Sequence, residues 1–258
     1  MHQLSLTISP QKKIYFASDF HFGAPNHAIS LIREKKVVAW LDSVKGDASC
    51  IFLLGDLFDF WFEYRKAIPK GFTRFLGKLT ELQDNGIDIH VFTGNHDLWM
   101  FDYLPVEIGI KIYKDPVELN IGKQKLLVGH GDGLGPGDPT YKYLKMIFTS
   151  PISQWLFARI HPNLGISLAE RWSRQSRINN MKLEEKFQGE DREFIFAWCR
   201  EMEQENHYDF YVFGHRHLPL DLKVAENSRY INLGEWVHFS PFAVYDGETM
   251  ELKSFEKV

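Results

Sequence analysis

The chain has 258 residues, of which 44% are hydrophobic and 25% are charged. This size and balance predict a single domain spanning residues 1–258, with a substantial apolar core. The formal net charge of −4 gives no overall electrostatic reason to expect nucleic acid as a partner.

Apolar runs alternate along the chain with segments of helical periodicity. The predicted strands are residues 13–18, 50–54, 88–93, 125–128, 210–213, 229–233 and 242–245. The predicted helices are residues 27–43, 69–85 and 183–206. Strands that alternate with helices indicate an α/β fold, in which loops at the strand ends carry the chemistry.

The cysteines and the N-terminus indicate the compartment. Cys50 and Cys199 lie far apart in apolar segments, so buried thiols are expected rather than a disulfide, as in a reducing compartment. Residues 1–10 lack a basic segment followed by a long apolar run, and no stretch of eighteen uninterrupted apolar residues occurs. Neither a signal peptide nor a membrane-spanning helix is therefore expected.

Potential metal ligands directly follow five of the predicted strands. The five fragments are Asp19-Phe20-His21, Gly55-Asp56-Leu57-Phe58-Asp59, Gly94-Asn95-His96-Asp97, Gly129-His130-Gly131-Asp132 and Gly214-His215-Arg216-His217. Each alone is a weak signal, because such fragments commonly form turns or caps, but five of the eleven histidines fall in them. Carboxylate, amide oxygen and imidazole can hold paired divalent cations, which activate water against phosphorus. The sequence therefore predicts a two-metal phosphoesterase.

These fragments, in this order, resemble the signature of the calcineurin-like metallophosphoesterase superfamily, and the resemblance extends from Lys13 to Glu235. It implies a sandwich of two mixed β-sheets flanked by helices. It also implies two divalent metal ions. One ion would be held by Asp19, His21, Asp56 and His217, and the other by Asp56, Asn95, His130 and His215.

The predicted chemistry centres on three residues. The carboxylate of Asp56 would bridge two cations, and a water shared between them would lose a proton near neutral pH. The Asn95 amide is a neutral donor, so the positive field remains available to charge that develops at phosphorus. His96 is not needed as a ligand and is the candidate for a cation or acid that stabilises the phosphoryl oxygens or the leaving group. Asp59 and Asp97 are expected to orient ligand histidines or to cap loops.

The segment from about residue 140 to residue 181 is aromatic, apolar and basic. It has six lysines and arginines, and Glu170 is its only acidic residue. This combination indicates an anionic partner with an apolar part, such as a lipid phosphate or a bilayer surface. Alternatively, its apolar side chains pack onto the main domain or onto a second subunit, and composition alone leaves both interpretations open.

A narrower resemblance favours the lipid interpretation. The run from Gly55 to Trp61 is similar to the Gly-Asp-Leu-Phe-Glu-x-Trp run of the UDP-2,3-diacylglucosamine hydrolases, the pyrophosphatases of lipid A biosynthesis. Residues 171–177 are similar to the Arg/Ser-rich end of that family's helical lid. Asp138 and Tyr141 follow the His130 fragment at the spacing found in that family. The resemblance implies a lid insertion at about residues 140–181 that houses acyl chains. The implied substrate contacts are Asp138, Tyr141, Ser176 and Arg177, and we add Trp61, an aromatic residue that also suits the core.

The resemblance implies hydrolysis of UDP-2,3-diacylglucosamine by attack of the metal-bridged hydroxide on the α-phosphorus. The products are 2,3-diacylglucosamine 1-phosphate (lipid X) and UMP, and the implied metal is Mn²⁺. It also implies a cytoplasmic enzyme, peripherally associated with the inner face of the inner membrane and without an obligatory protein partner.

Two substitutions indicate a divergent branch of that family. His96 stands where the best-known members have Arg, and Asp59 stands where they have Glu. Two alternatives remain open. One is a soluble two-metal phosphoesterase acting on another nucleotide, phosphomonoester or phosphodiester, which would have little use for an apolar, cationic lid. The other is a non-catalytic scaffold, which is disfavoured because buried ligand charges are costly without a metal.

Overall fold

Two six-stranded mixed β-sheets pack face to face and are flanked by helices, as the family resemblance implies. The structure is a computed structural model that describes residues 2–136, 139–184, 187 and 189–256, without the side chains of residues 174–184. Within this part of the chain, none of the helices has the length and apolar character needed to cross a membrane.

The elements follow one another in a largely alternating order. The strands are β1 (His2–Leu6), β2 (Lys13–Ala17), β3 (Ala48–Leu54), β4 (Asp88–Phe92), β5 (Lys111–Tyr113), β6 (Val117–Ile121), β7 (Gln124–Gly129), β8 (Phe210–Phe213), β9 (Pro219–Ala225), β10 (Ser228–Leu233), β11 (Pro241–Tyr245) and β12 (Met250–Ser254). The α-helices are α1 (His27–Val44), α2 (Thr73–Asp84), α3 (Pro139–Thr149), α4 (Pro151–Phe157), α5 (Pro162–Glu184) and α6 (Phe194–Glu205). A π-helical turn at Leu104–Ile108 and a 3₁₀ turn at Glu190–Arg192 complete the regular structure.

The strand order brings the ends of the functional strands together. One sheet has the order β12-β11-β2-β3-β4-β5, and the other has the order β1-β6-β7-β8-β10-β9. Neighbours from β2 to β5 are parallel, as are β7 and β8. Because the carboxyl ends of parallel strands meet at one edge of a sheet, the loops after β2, β3 and β4 share an edge, and so do those after β7 and β8.

The core is formed by strands that are buried on both faces. In β2, Ile14 and Phe16 contact the apolar cluster between the sheets, whereas Tyr15 and Ala17 contact the cluster beneath α1 and α2. This division follows from the two-residue period of a strand. It explains why these strands read as continuous apolar runs and were predictable.

Two helix boundaries differ from the prediction. The helix predicted at residues 69–85 begins at Thr73, because Phe72 has a left-handed φ of 57°. The single helix predicted at residues 183–206 was wrong. Instead, α5 ends at Glu184, Gly189 has a φ of 100°, and α6 begins at Phe194 after the 3₁₀ turn.

Helices α3, α4 and α5, which we call the three-helix segment (residues 139–184), lie between β7 and α6. Aromatic contacts attach them to the sheets: the ring of Phe157 lies 4.7 Å from those of both Phe62 and Trp99, measured between centroids. The indole nitrogen of Trp99 donates a hydrogen bond to the carbonyl of Phe148 at 2.8 Å. The segment is thus docked by apolar packing and by a backbone-directed hydrogen bond.

Candidate active site

The loops after β2, β3, β4, β7 and β8 bring all seven predicted ligands together. Three groups have possible ligand atoms that lie within 4.8 Å of one another, and one of them is His21, Asp59 and His96. The other two groups correspond to the predicted ligand sets: Asp19, His21, Asp56 and His217 form one, and Asp56, His130 and His215 form the other. Asp56 is common to both groups. The amide oxygen of Asn95 lies 2.9 Å from His215 Nδ1 and 3.2 Å from His130 Nε2, which places Asn95 in the second group.

The donor atoms of these residues fit two divalent cations. Asp19 Oδ1 and Asp56 Oδ2 are buried, and no described residue donates a hydrogen bond of good geometry to either. The nearest imidazole nitrogens lie 3.2 Å from Asp19 Oδ1 and 3.4 Å from Asp56 Oδ2. Buried carboxylate oxygens in this condition are costly unless a cation compensates them. The mixed carboxylate, amide and imidazole set is the chemistry that divalent first-row metals accept.

The backbone is strained at the predicted ligands. The angle φ is 55° at Asp19, 46° at His21, 51° at Asp56, 67° at His215 and 57° at His217. Among the other non-glycine residues that the structure describes, only Gln11, Phe72 and Ser240 have a positive φ. Such conformations cost about 1–3 kcal/mol each and cluster at functional sites. The fold therefore holds these residues in backbone conformations that non-glycine residues rarely adopt.

Two glycines allow the ligand loops to approach closely. A Cβ atom on Gly94 would lie 2.2 Å from Asp56 Oδ1, and one on Gly55 would lie 2.6 Å from His130 Nδ1. Gly55 also has a φ of 84°, which favours glycine on its own account. Both positions therefore require glycine, because a Cβ atom there would clash with a neighbouring candidate ligand.

Asp97 joins the loops that carry Asp56 and Asn95. Its buried carboxylate accepts backbone hydrogen bonds from Gly94 at 2.7 Å and Leu57 at 2.7 Å. Longer bonds of 3.3 Å come from the backbone N–H groups of Asp56 and Phe58. One side chain thus satisfies donors from two loops and fixes their relative position.

Neighbouring charges set the protonation of the ligand cluster. Burial opposes ionisation of Asp56, but the surrounding histidines, His130 first, hold the pKa of its carboxyl well below the usual range. Burial also opposes ionisation of Asp19, but the imidazoles of His21 and His217 close to its carboxylate lower its pKa. In turn, burial disfavours the imidazolium of His130, but the negative charge of Asp56 raises the pKa of His130 above its usual value. Metal binding at this cluster therefore has to displace protons from imidazole.

His96 is held at the edge of the cluster. Its backbone N–H donates to Asp56 Oδ1 at 2.8 Å, and its ring Nδ1 lies 3.1 Å from the carbonyl oxygen of Asp59 and 2.9 Å from Ser173 Oγ. Because a carbonyl only accepts hydrogen bonds, Nδ1 carries a proton and is engaged by Asp59. Nε2 is therefore the ring nitrogen that remains available to a substrate. The Asp59 carboxylate lies 3.8 Å from His96 Nδ1 and 4.0 Å from His21 Nδ1.

An aromatic cavity of about 420 Å³ opens beside this cluster. Asp59, Asn95 and His96 lie in its wall, together with residues of the three-helix segment. Its aromatic lining consists of Phe60, Trp61, Trp99, Tyr141, Phe148, Phe157 and Trp172. The cavity therefore connects the candidate metal ligands to an apolar chamber beneath the helices.

The structure places two of the five predicted substrate contacts at this cavity. Trp61 is fully buried and donates a hydrogen bond to Glu63 Oε1 at 3.0 Å, and its side chain lines the cavity. Tyr141 lines the cavity from α3. Asp138 lies outside the described residues, as do the side chains of Ser176 and Arg177.

Sequence reasoning missed Ser173, which contacts His96 from α5. It lies one helical turn before the predicted contact Ser176, and residues three apart on a helix share a face. That spacing was the signal that could have identified it.

Comparison with known proteins identifies the family of this chain. Residues 12–219 match the family described as calcineurin-like phosphoesterase. A UDP-2,3-diacylglucosamine hydrolase of Porphyromonas gingivalis is 36% identical, over 95% of this chain and 98% of its own length. One of Edwardsiella ictaluri is 25% identical, over 79% of this chain and 75% of its own. The crystal structure of a dimetal phosphatase from Danio rerio is 13% identical, covers 95% of this chain and 96% of its own, and has a TM-score of 0.45. This chain belongs to the calcineurin-like phosphoesterase family.

Proposed function

We propose that the protein hydrolyses the pyrophosphate of UDP-2,3-diacylglucosamine to lipid X and UMP. The observation that carries the proposal is the aromatic cavity that opens directly at Asn95 and His96. A substrate with an acyl part joined to a diphosphate would place its phosphates at the candidate ligands and its acyl part in the chamber. The full-length similarity to a relative named for this hydrolysis supports the same substrate.

The three-helix segment would serve as the lid of this site, within one domain. Phe148, Phe157 and Trp172 come from its three helices and line the cavity together. A phosphoesterase that acts on a small soluble nucleotide or phosphomonoester has no use for such a chamber. This contrast favours the lipid substrate over the alternative.

The proposed metal ions are two Mn²⁺, held by the two ligand groups described above. When bound, such ions supply Lewis acidity and lower the pKa of a coordinated water. Asp56 would serve both ions, and Asn95 would contribute a neutral oxygen. In the reaction, the oxygen of a water molecule adds to the α-phosphorus, and the bond from that phosphorus to the bridging oxygen breaks. The bridging oxygen leaves with the sugar phosphate, which is lipid X.

His96 is proposed to stabilise charge on the phosphoryl oxygens by donating from Nε2–H, with both ring nitrogens protonated. We expect His96→Ala to lower kcat by about 10²-fold or more with a much smaller change in KM, because the interaction strengthens only as charge develops. Ser173→Ala should cause a smaller loss of the same kind, because Nδ1 keeps the carbonyl of Asp59 as a partner. Steady-state kinetics checks both variants, and the exposed His27 provides a control as His27→Ala. A defect of His96→Ala that lies wholly in KM would contradict this role.

The acyl chamber is tested by comparing UDP-2,3-diacylglucosamine with its deacylated analogue. We expect a much higher kcat/KM for the acylated substrate, since each buried methylene contributes about 0.8 kcal/mol. Trp172→Ala should reduce this preference, because the indole packs edge-on against Phe148 with 5.1 Å between ring centroids. Trp198→Ala, on α6 away from the cavity, is the matched control. Equal efficiency with both substrates would remove the proposal of an acyl chamber.

We also propose peripheral attachment to the inner face of the cytoplasmic membrane. Ile152, Trp155 and Leu156 on α4 are exposed by 71%, 57% and 55% of their surface. The guanidinium of Arg159 lies 4.8 Å from the centroid of the Trp155 ring, so apolar and positive groups occur side by side. Such a surface suits a bilayer that contains anionic lipid.

Sedimentation with anionic vesicles tests this attachment. We expect the double variant Trp155→Ser with Leu156→Ser to lose most of its vesicle binding while it keeps its activity on substrate dispersed in detergent. The exposed Val106, on the π-helical turn, provides the control as Val106→Ser. Undiminished vesicle binding of the double variant would contradict the attachment through α4.

A further inference from the structure

A second cavity, of about 200 Å³, adjoins the candidate ligand His130 and is lined by three lysines. Lys114 lies just after β5, and Lys142 and Lys145 lie on α3. Because residues three apart on a helix share a face, the two α3 lysines point from adjacent turns toward the same cavity. The loop of residues 131–134 and Pro116 form the remaining walls.

The lysines give this cavity an excess of positive charge, although the net charge of the whole chain is negative. Its two acidic residues are Asp115 and Asp132. Asp132 is already compensated: its buried carboxylate lies 2.6 Å from Lys145 Nζ and accepts the hydroxyl of Tyr141. Among the residues that the structure describes, Lys142 donates only to a neutral group, the carbonyl of Gly135. With Asp132 compensated by Lys145, Lys114 and Lys142 face one acidic residue, Asp115, so the cavity keeps an excess of one positive charge that is available to an anion.

The two cavities adjoin the same ligand group. Asn95 lines the aromatic cavity and His130 lines the cationic one, and these two residues are 3.2 Å apart between Oδ1 and Nε2. The hydrogen bond from Tyr141 to Asp132 joins the walls of the two cavities, because each residue lines one of them. A molecule whose phosphates lie at the candidate ligands thus meets an apolar chamber and a cationic one.

We infer that the cationic cavity binds the nucleotide end of the substrate, a nucleoside phosphate, with Lys114 and Lys142 as the residues that attract it. This inference rests on the proposed function, because UDP-2,3-diacylglucosamine divides at its diphosphate into an apolar acyl-sugar end and a polar, anionic nucleotide end. The aromatic lining suits the acyl end, whereas the positive charge of the lysines favours the end at which the nucleotide phosphate lies against the candidate ligands. Lys114 and Lys142 are thus specificity-determining residues for the nucleotide end.

Equilibrium titration of UMP into the Mn²⁺-loaded protein tests the inference without turnover. Lys114→Glu and Lys142→Glu should each raise the Kd for UMP about fivefold or more, because each replaces an attracting charge by a repelling one. The matched control is Lys111→Glu, an exposed lysine of β5 outside the cavity, which should stay within about twofold of the wild type. Inhibition by lipid X should likewise stay within about twofold in both cavity variants, because lipid X lacks the nucleotide.

Three results would overturn the inference: no binding of UMP to the wild-type protein, an unchanged Kd in both cavity variants, or an equal loss in the Lys111 control. Failure of the proposed function is seen separately, as absence of UDP-2,3-diacylglucosamine hydrolysis by the wild-type protein. The titration does not depend on turnover. Loss of UMP binding in the two cavity variants, but not in the Lys111 control, would therefore support the nucleotide subsite even if the wild-type protein did not hydrolyse UDP-2,3-diacylglucosamine.

Discussion

Replacing Asp56 by Asn should lower the kcat for UDP-2,3-diacylglucosamine by about 10³-fold or more. Asp56 belongs to both of the groups that correspond to the predicted ligand sets, so the substitution removes one negative charge from two candidate cation sites at once. Asparagine keeps the shape of the side chain, and its oxygen can still accept the backbone hydrogen bond from His96. The loss should therefore come from metal binding and not from unfolding.

Bound metal and thermal stability show whether this explanation holds. We expect Asp56→Asn to retain less than the two Mn²⁺ ions per chain proposed for the wild type. Added Mn²⁺ should raise the Tm of the wild type more than that of the variant. Asp84→Asn, at the exposed end of α2, is the control. Turnover within tenfold of the wild type would contradict a shared ligand.

Replacing Asp97 by Ala should lower the free energy of unfolding by about 3–5 kcal/mol, because it leaves buried backbone donors without their acceptor. These donors are the N–H groups of Gly94 and of residues 56–58. The same change releases the loops that carry Asp56 and Asn95, so activity should fall even where the protein is still folded. Denaturant unfolding followed by circular dichroism measures the stability.

Two companion variants make the Asp97 result specific. Asp97→Asn keeps one acceptor oxygen and should be intermediate. Asp102→Ala removes an exposed carboxylate in the same region and should change the unfolding free energy by no more than about 0.5 kcal/mol. A change in Asp97→Ala as small as that of the control would show that the loops are held in another way.

The strands that could be predicted from the sequence are those buried on both faces. All seven predicted apolar runs coincide with strands. For example, β2, β3 and β8 are covered by the other sheet on one side and by helices on the other, so their residues are apolar at successive positions. The five strands not predicted are β1, β5, β6, β9 and β12. Four of them are the edges of the sheets, where nearly all residues are partly or fully exposed and polar residues interrupt the apolar pattern.

The clustering of the candidate ligands was easier to predict than the walls of the cavities. The five fragments that carry them lie at or within two residues of the end of a buried strand, so local sequence places them at strand ends. The contact between Ser173 and His96 instead joins residues 77 positions apart, and it depends on how α5 docks. Docking is set by packing such as that of Phe157 against Trp99, which no local pattern specifies.

Hydrolysis of UDP-2,3-diacylglucosamine in water labelled with heavy oxygen, by protein loaded with Mn²⁺, tests the central claim most directly. Attack of water on the α-phosphorus predicts one labelled oxygen in UMP and none in lipid X, with no product formed when the metal is removed. Label in lipid X, or hydrolysis that persists without metal, would contradict the account.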